Sequence, residues 1–360
     1  MFQSRRFDPV LQCSKSPWAD VRRPRSLARA SLIGCSLLAL AACGEIEEPD
    51  DAPDVAVNFE REVLVTAAFR TRDEDASDIA FLPNLEAPSL GAVVAAPRSG
   101  GLDVYDADGE VRTEFAGPRL STIATAPDFQ LRGERLPLVF GSASDASTLH
   151  GFVVTPADYR VFELPLGSFQ PQDGVAGLCM LEEGIGYIDL VLLGTGPSAE
   201  IIRIQDSGED LLSVVQRASL ALPSPARECT SINGAIYTLS PASGVTRMDE
   251  TGTVLAELQI AATGISAGEF DGSQLIVLTN GASRELHTYH ADGLERAAEV
   301  TVVDGLSTPG ITEPAAIDIT AITYGYTAYS EGMVGVFDRA DNRVKVISRE
   351  AFTRAYLTVE

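Results

Sequence analysis

Lysine is nearly missing from this chain of 360 residues, with Lys15 and Lys345 the only two. Over the whole sequence 27 Lys and Arg face 51 Asp and Glu, a formal net charge of −24. Residues 1–42 hold seven basic and two acidic residues, so residues 43–360 carry 20 against 49, a charge of −29. A body this acidic has no basic face to offer DNA, RNA or an anionic lipid surface, and nucleic-acid binding is excluded as a function class. Tryptophan occurs once, at Trp18, so the periodic Trp of WD-repeat propellers is missing. There is no Walker loop and no Cys-rich metal spacing. Histidine is limited to His150, His287 and His290. If His287 and His290 share a strand, they point to opposite faces and cannot ligate one metal, so both are read as surface or packing residues.

The longest apolar run lies at the amino-terminal end. Arg22, Arg23, Arg25 and Arg29 precede the 12-residue stretch Ser31–Ala42. As a helix it would reach only about 18 Å, too short for a bilayer core of about 30 Å, which fits a signal peptide. Translation is expected to start near Val21, giving a 22-residue signal. The run closes on Leu40-Ala41-Ala42-Cys43-Gly44, which resembles the lipobox of bacterial lipoproteins. That resemblance implies a lipidated Cys43 as the first mature residue, and an ordinary cleavage after Ala42 is the alternative. Gly44 in place of Asp implies the outer membrane, within an exported, envelope-anchored protein. Residues 43–58 then read as an acidic flexible tether, with Glu45, Glu47, Glu48, Asp50, Asp51 and Asp54 beside Pro49 and Pro53. The folded domain is expected over 59–360, as a monomer. Cys13 and Cys35 leave with the signal, so Cys179 and Cys229 remain, and buried free thiols are expected at both, with a disulfide the alternative.

From Phe59 no long 3.6-residue apolar period occurs. Short Val/Ile/Leu/Tyr runs alternate with Gly, Asp-Gly and Pro instead. One hairpin pattern recurs, as GLDVYDADGEV (101–111), GFVVTPADYRV (151–161), EIIRIQDSGEDL (200–211), GVTRMDETGTV (244–254), ELHTYHADGLE (285–295) and MVGVFDRADNRV (333–344). Copies spaced 41 to 50 residues apart predict radial β repetition. Asp108-Gly109 and Asp292-Gly293 are expected to supply the positive φ that tight turns need. A more apolar strand precedes each hairpin, LGAVVAA (90–96) and YIDLVLLG (187–194) among them, and is read as the inner strand of a blade. The strand EREVLVTAAF (60–69) is expected to complete the last blade. The fold class is all-β, a six-bladed β-propeller, with a two-sheet sandwich as the structural alternative.

PRSGGLDVYDADGEV (97–111), with DASDIAF (75–81) before it, resembles the opening of the β-propeller phytases. DGVAGLCML (173–181), ARECTSINGAIYTLS (226–240), ATGISAGEF (262–270) and EPAAIDIT (313–320) continue the resemblance over roughly 60–355. It implies a six-bladed propeller and calcium-dependent release of phosphate from inositol hexakisphosphate, the bound Ca²⁺ being held by several carboxylates. It implies Asp78 and Asp318 as metal ligands, and Arg98 and Arg119 as phosphate-binding residues. Elsewhere the acidic positions are replaced: Ser77, Ala124, Gly174, Ala267 and Ala315 stand at five of them, and Ala176 stands where the family has a Tyr. Arg227 takes a sixth, with Glu228 one place displaced and expected to turn to the other face. The chain is therefore expected to be a binding or scaffold propeller with little or no phosphatase activity, its partner an anionic small molecule or an envelope protein. The alternative is an active 3-phytase-type phosphohydrolase, and a lactonase or glycan-binding propeller is more distant.

Overall fold

The computed structural model describes residues 61–72, 75–143 and 148–357. The signal peptide, Cys43, the tether and the domain start at Phe59 lie outside the described residues. Two short strands come first, β1 (Glu62–Leu64) and β2 (Ala67–Arg70). Five four-strand units follow. They are β3 (Ala76–Leu82), β4 (Ala92–Pro97), β5 (Leu102–Asp106), β6 (Val111–Phe115); then β7 (Leu120–Leu131), β8 (Glu134–Ala143), β9 (Leu149–Val154), β10 (Val161–Leu164). Next are β11 (Gly177–Gly184), β12 (Tyr187–Leu193), β13 (Ser198–Asp206), β14 (Leu212–Ala221); and β15 (Glu228–Ile232), β16 (Ala235–Ser240), β17 (Gly244–Met248), β18 (Val254–Leu258). The fifth unit is β19 (Gly264–Phe270), β20 (Ser273–Thr279), β21 (Glu285–His290), β22 (Arg296–Val303). The chain ends with β23 (Pro314–Thr320), β24 (Met333–Asp338), β25 (Arg343–Ser348) and a helix, α1 (Arg349–Leu357).

Each unit is an antiparallel meander, and the first strand of each touches the first strand of the next around a closed ring of six. The protein is a six-bladed β-propeller. The sixth blade has only three strands of its own and takes β2 as its outermost, antiparallel to β25 from Ala67↔Val346 to Arg70↔Arg343. β1 does something else: it adds to the fifth blade, parallel to β22 through Glu62↔Thr301. The stretch read as one strand over 60–69 is thus two, laid across two blades.

Three expectations need correction. The apolar strands taken as innermost are the second strands. β4 and β24 are buried along their whole length because a neighbouring blade covers each face. The true inner strands face a wet channel on one side and therefore read as mixed, as in β15. The sixth hairpin copy also differs, joining second and third strands, since the fourth comes from β2. Gly109 has the expected positive φ of 82°, but in the fifth-blade turn the left-handed residue is Leu294 at φ 60°, not Gly293. The Leu294 amide donates to the His290 carbonyl, and Tyr159 repeats this toward Thr155 in the second blade. Both side chains are buried, and that packing offsets the cost of the left-handed backbone.

The helix α1 escaped the sequence reading because it is only nine residues long. Its signal is the spacing of Phe352, Ala355 and Tyr356, which are buried over β1 and β22.

Candidate channel-mouth site

Inner strands of neighbouring blades share no backbone ladder, so side chains must satisfy their facing amides and carbonyls. Asp78 Oδ1 accepts from the Ile79 amide and Oδ2 accepts from the Ile123 amide on β7, each at 2.8 Å. Asp318 Oδ2 accepts from the Phe81 amide on β3 at 2.7 Å. Thr122 Oγ1 accepts from Leu178, and the Ser231 hydroxyl donates to the Met180 carbonyl. Tyr237 donates to Ala291, and Thr263 to Pro314. These clasps cover all six interfaces. Between the third and fourth blades the tie is also covalent, because Cys179 and Cys229 form a disulfide with Cα atoms 5.6 Å apart. This corrects the expectation of two free thiols: Cys179 on β11 and Cys229 on β15 occupy adjoining channel strands, which bridges residues 50 apart in sequence.

The central channel holds a cavity of about 390 Å³, lined from all six inner strands and including Asp78, Glu228 and Asp318. Burial is the main reason these carboxyls release their protons less readily than ordinary ones. Asp78 is pushed up to about 7, with the nearby Asp318 charge adding and the two amides opposing. Asp318 rises to about 6, against the pull of the Phe81 and Ile319 amides. Burial and Asp78 together push Glu228 well above the ordinary carboxylate range. Glu228 lines the cavity, which corrects the expectation that it turns to the other face: β15 begins at Glu228, so strand alternation does not reach back across Arg227.

Above this cavity opens a second, of about 440 Å³, lined by Ser77, Arg98, Arg119, Ser121, Thr122, Ala176, Arg227 and Glu228. Arg98 sits in the turn after β4, Arg119 before β7 and Arg227 before β15, so three arginines from separate connections converge on one mouth. All three are exposed residues. Arg98 Nε is 2.7 Å from Asp75, which also receives Arg339 at 3.1 Å. The sequence reading brought Arg98 and Arg119 forward and treated Arg227 only as a lost acid.

Of the residues singled out as metal ligands, Asp78 and Asp318 do line one cavity, but the donor set does not fit a multi-calcium centre. Both Asp78 oxygens and one of Asp318 already accept backbone amides. Ala124 and Ala267 line the same cavity, so methyl groups that offer no oxygen take up that part of its wall. Among the described residues, no three His, Cys, Asp or Glu side chains of this channel bring ligand atoms within 4.8 Å of one another.

No family model and no curated protein matches the chain. Among solved structures, the WD40 β-propeller domain of Doa1 is similar at 15% identity and TM-score 0.46, over 79% of this chain and 96% of its own. BBS1N, solved in complex with ARL6DN, is similar at 10% identity and TM-score 0.45, over 71% and 75%. The computationally designed Ika8 protein gives 14% and 0.40, over 80% and 74%. The fold assignment rests on the ring of six sheets itself and not on these likenesses.

Proposed function

We propose that this protein is an exported, lipid-anchored binding propeller whose channel mouth recognises a phosphorylated small molecule without hydrolysing it efficiently. The observation that carries the reading is the convergence of Arg98, Arg119 and Arg227 on one cavity, in a body of charge −29. Guanidinium groups pair with phosphate oxygens bidentately, each charge-assisted hydrogen bond contributing about 1.5–3 kcal/mol. Binding does not imply turnover. Hydrolysis needs a positioned water and neutralised phosphate charge, and two of the three carboxylates below the mouth, Asp78 and Asp318, are engaged as inter-blade clasps. The resemblance of 97–111 to the β-propeller phytases makes inositol phosphates the ligand class to test first. Titration calorimetry of inositol hexakisphosphate at low salt should give saturable binding that Arg119→Ala and Arg227→Ala each weaken at least about tenfold. Unchanged affinity in both variants contradicts the assignment.

Calcium-dependent phosphomonoester hydrolysis of the 3-phytase type is the second reading. It is favoured by Asp78, Glu228 and Asp318 facing the cavity beneath the arginines, and robust Ca²⁺-dependent phosphate release abolished by Asp78→Ala would establish it. Export is supported by the lipobox-like Leu40–Cys43 and by the Cys179–Cys229 disulfide, since disulfides persist in oxidising compartments. A Cys43→Ser variant should leave the membrane fraction, and its retention there rejects the lipid anchor.

A further inference from the structure

A second cluster of ligating side chains lies away from the channel, on the outer part of the fifth blade. His287 on β21 stands directly opposite Glu299 on β22, and Glu285 is two residues before His287. Residues at i and i+2 share a face of the sheet, and a directly opposed residue shares it too, so three ligand-bearing side chains project together from two hydrogen-bonded strands. Their opposite-face neighbours Leu286, Ala298 and Val300 are buried in the core, which fixes both backbones. His287 Nδ1 is 3.1 Å from Glu299 Oε1, and one ligand atom from each of the three residues lies within 4.8 Å of the others.

We propose that Glu285, His287 and Glu299 form a binding site for a borderline divalent transition metal, with Zn²⁺ as the reference ion. Tetrahedral Zn²⁺ with N and O ligands near 2.1 Å needs its donors about 3.4 Å apart. His287 and Glu299 already meet that spacing, and only the Glu285 carboxylate has to draw in. One imidazole with two carboxylates leaves the fourth position to water and disfavours Ca²⁺, which takes six to eight oxygens. Ser283 donates to Glu285 Oε2 at 3.1 Å and orients that carboxylate. Arg296 pairs with Glu299 but is more than half exposed, so it can yield the oxygen to a dication. The site is independent of the channel-mouth reading.

The test is titration calorimetry of ZnCl₂ into the tag-free, disulfide-intact exported domain, with CaCl₂ in parallel. One equivalent of Zn²⁺ should bind, and His287→Ala and Glu299→Gln should each weaken binding by at least about 10–100-fold, the loss typical even of an outer-shell partner. The metal-free melting curves of both variants verify that they fold. Absence of saturable Zn²⁺ binding, or equal affinity in wild type and both variants, overturns the proposal.

Discussion

Asp78 illustrates how one residue type can serve two opposed roles at the same position. In a calcium centre its oxygens would be metal ligands, whereas here both accept amides, one of them across a blade interface. Its carboxyl titrates near 7 in the folded protein and near 3.8 when unfolded, so the native state binds the proton more tightly. Native stability from this group therefore falls as pH rises from about 4 to 7 and levels off above that. Each tenfold change in proton affinity is about 1.4 kcal/mol, well within the resolution of urea melts. Asp78→Asn keeps the shape and one acceptor while removing the titration. Compared with wild type, it should show a flatter fall in unfolding free energy between pH 5 and pH 8, and parallel slopes would show that Asp78 does not titrate in this range. Residue chemistry of this kind was only half legible in the sequence. Asp78, Asp318, Arg98 and Arg119 could be marked by motif, but whether an Asp faces a metal or a neighbouring amide depends on register between blades that share no ladder. Arg227 and Glu228 were obscured because a motif-by-motif comparison scores a replaced acid as a loss, not as a gained cation.

At the scale of elements, the ring depends on its first described strands. β2 supplies the outer strand of the sixth blade, and Phe69 on it is buried against the first-blade turn, where a Cβ on Gly109 would meet its ring at 2.2 Å. Thr66 and Thr71 extend the tie, the Thr66 hydroxyl accepting from the Ser348 amide and the Thr71 hydroxyl donating to the Asn342 carbonyl. Losing the Phe69 side chain alone costs about 3–5 kcal/mol. Deleting residues 61–70 removes it together with both strand pairings, so cooperative thermal unfolding should be lost or shifted sharply downward. A truncated chain melting like wild type would mean that the ring closes without this segment. Hairpin period and turn chemistry made the six blades visible in the sequence, since Asp-Gly turns and alternating strands are local signals. Assignment of inner against second strands was not visible, because full burial of β4 or β24 is a consequence of neighbouring blades and not of local pattern. The parallel addition of β1 was missed for the same reason.

For the whole molecule, charge is sorted by position. The channel walls carry carboxyls held partly protonated by burial, while one mouth gathers three arginines in a body with a large acidic excess. The disulfide between the third and fourth blades closes a loop whose chain entropy is about 4 kcal/mol and stiffens the side of the channel next to Glu228 and Arg227. On the proposed reading that arrangement suits capture of a phosphorylated ligand more than turnover, because among the described residues of the channel Asp78 and Asp318 already accept backbone amides and Ala124 and Ala267 line the wall. Phosphorus NMR of inositol hexakisphosphate, mixed with the purified protein and millimolar Ca²⁺, reads binding and hydrolysis in one sample. The expected result is a shifted or broadened set of phosphomonoester resonances whose total intensity stays constant over hours. A growing inorganic phosphate resonance, or a ligand spectrum identical with and without the protein, would contradict the reading of this propeller as a phosphate-recognising, non-hydrolysing binding module.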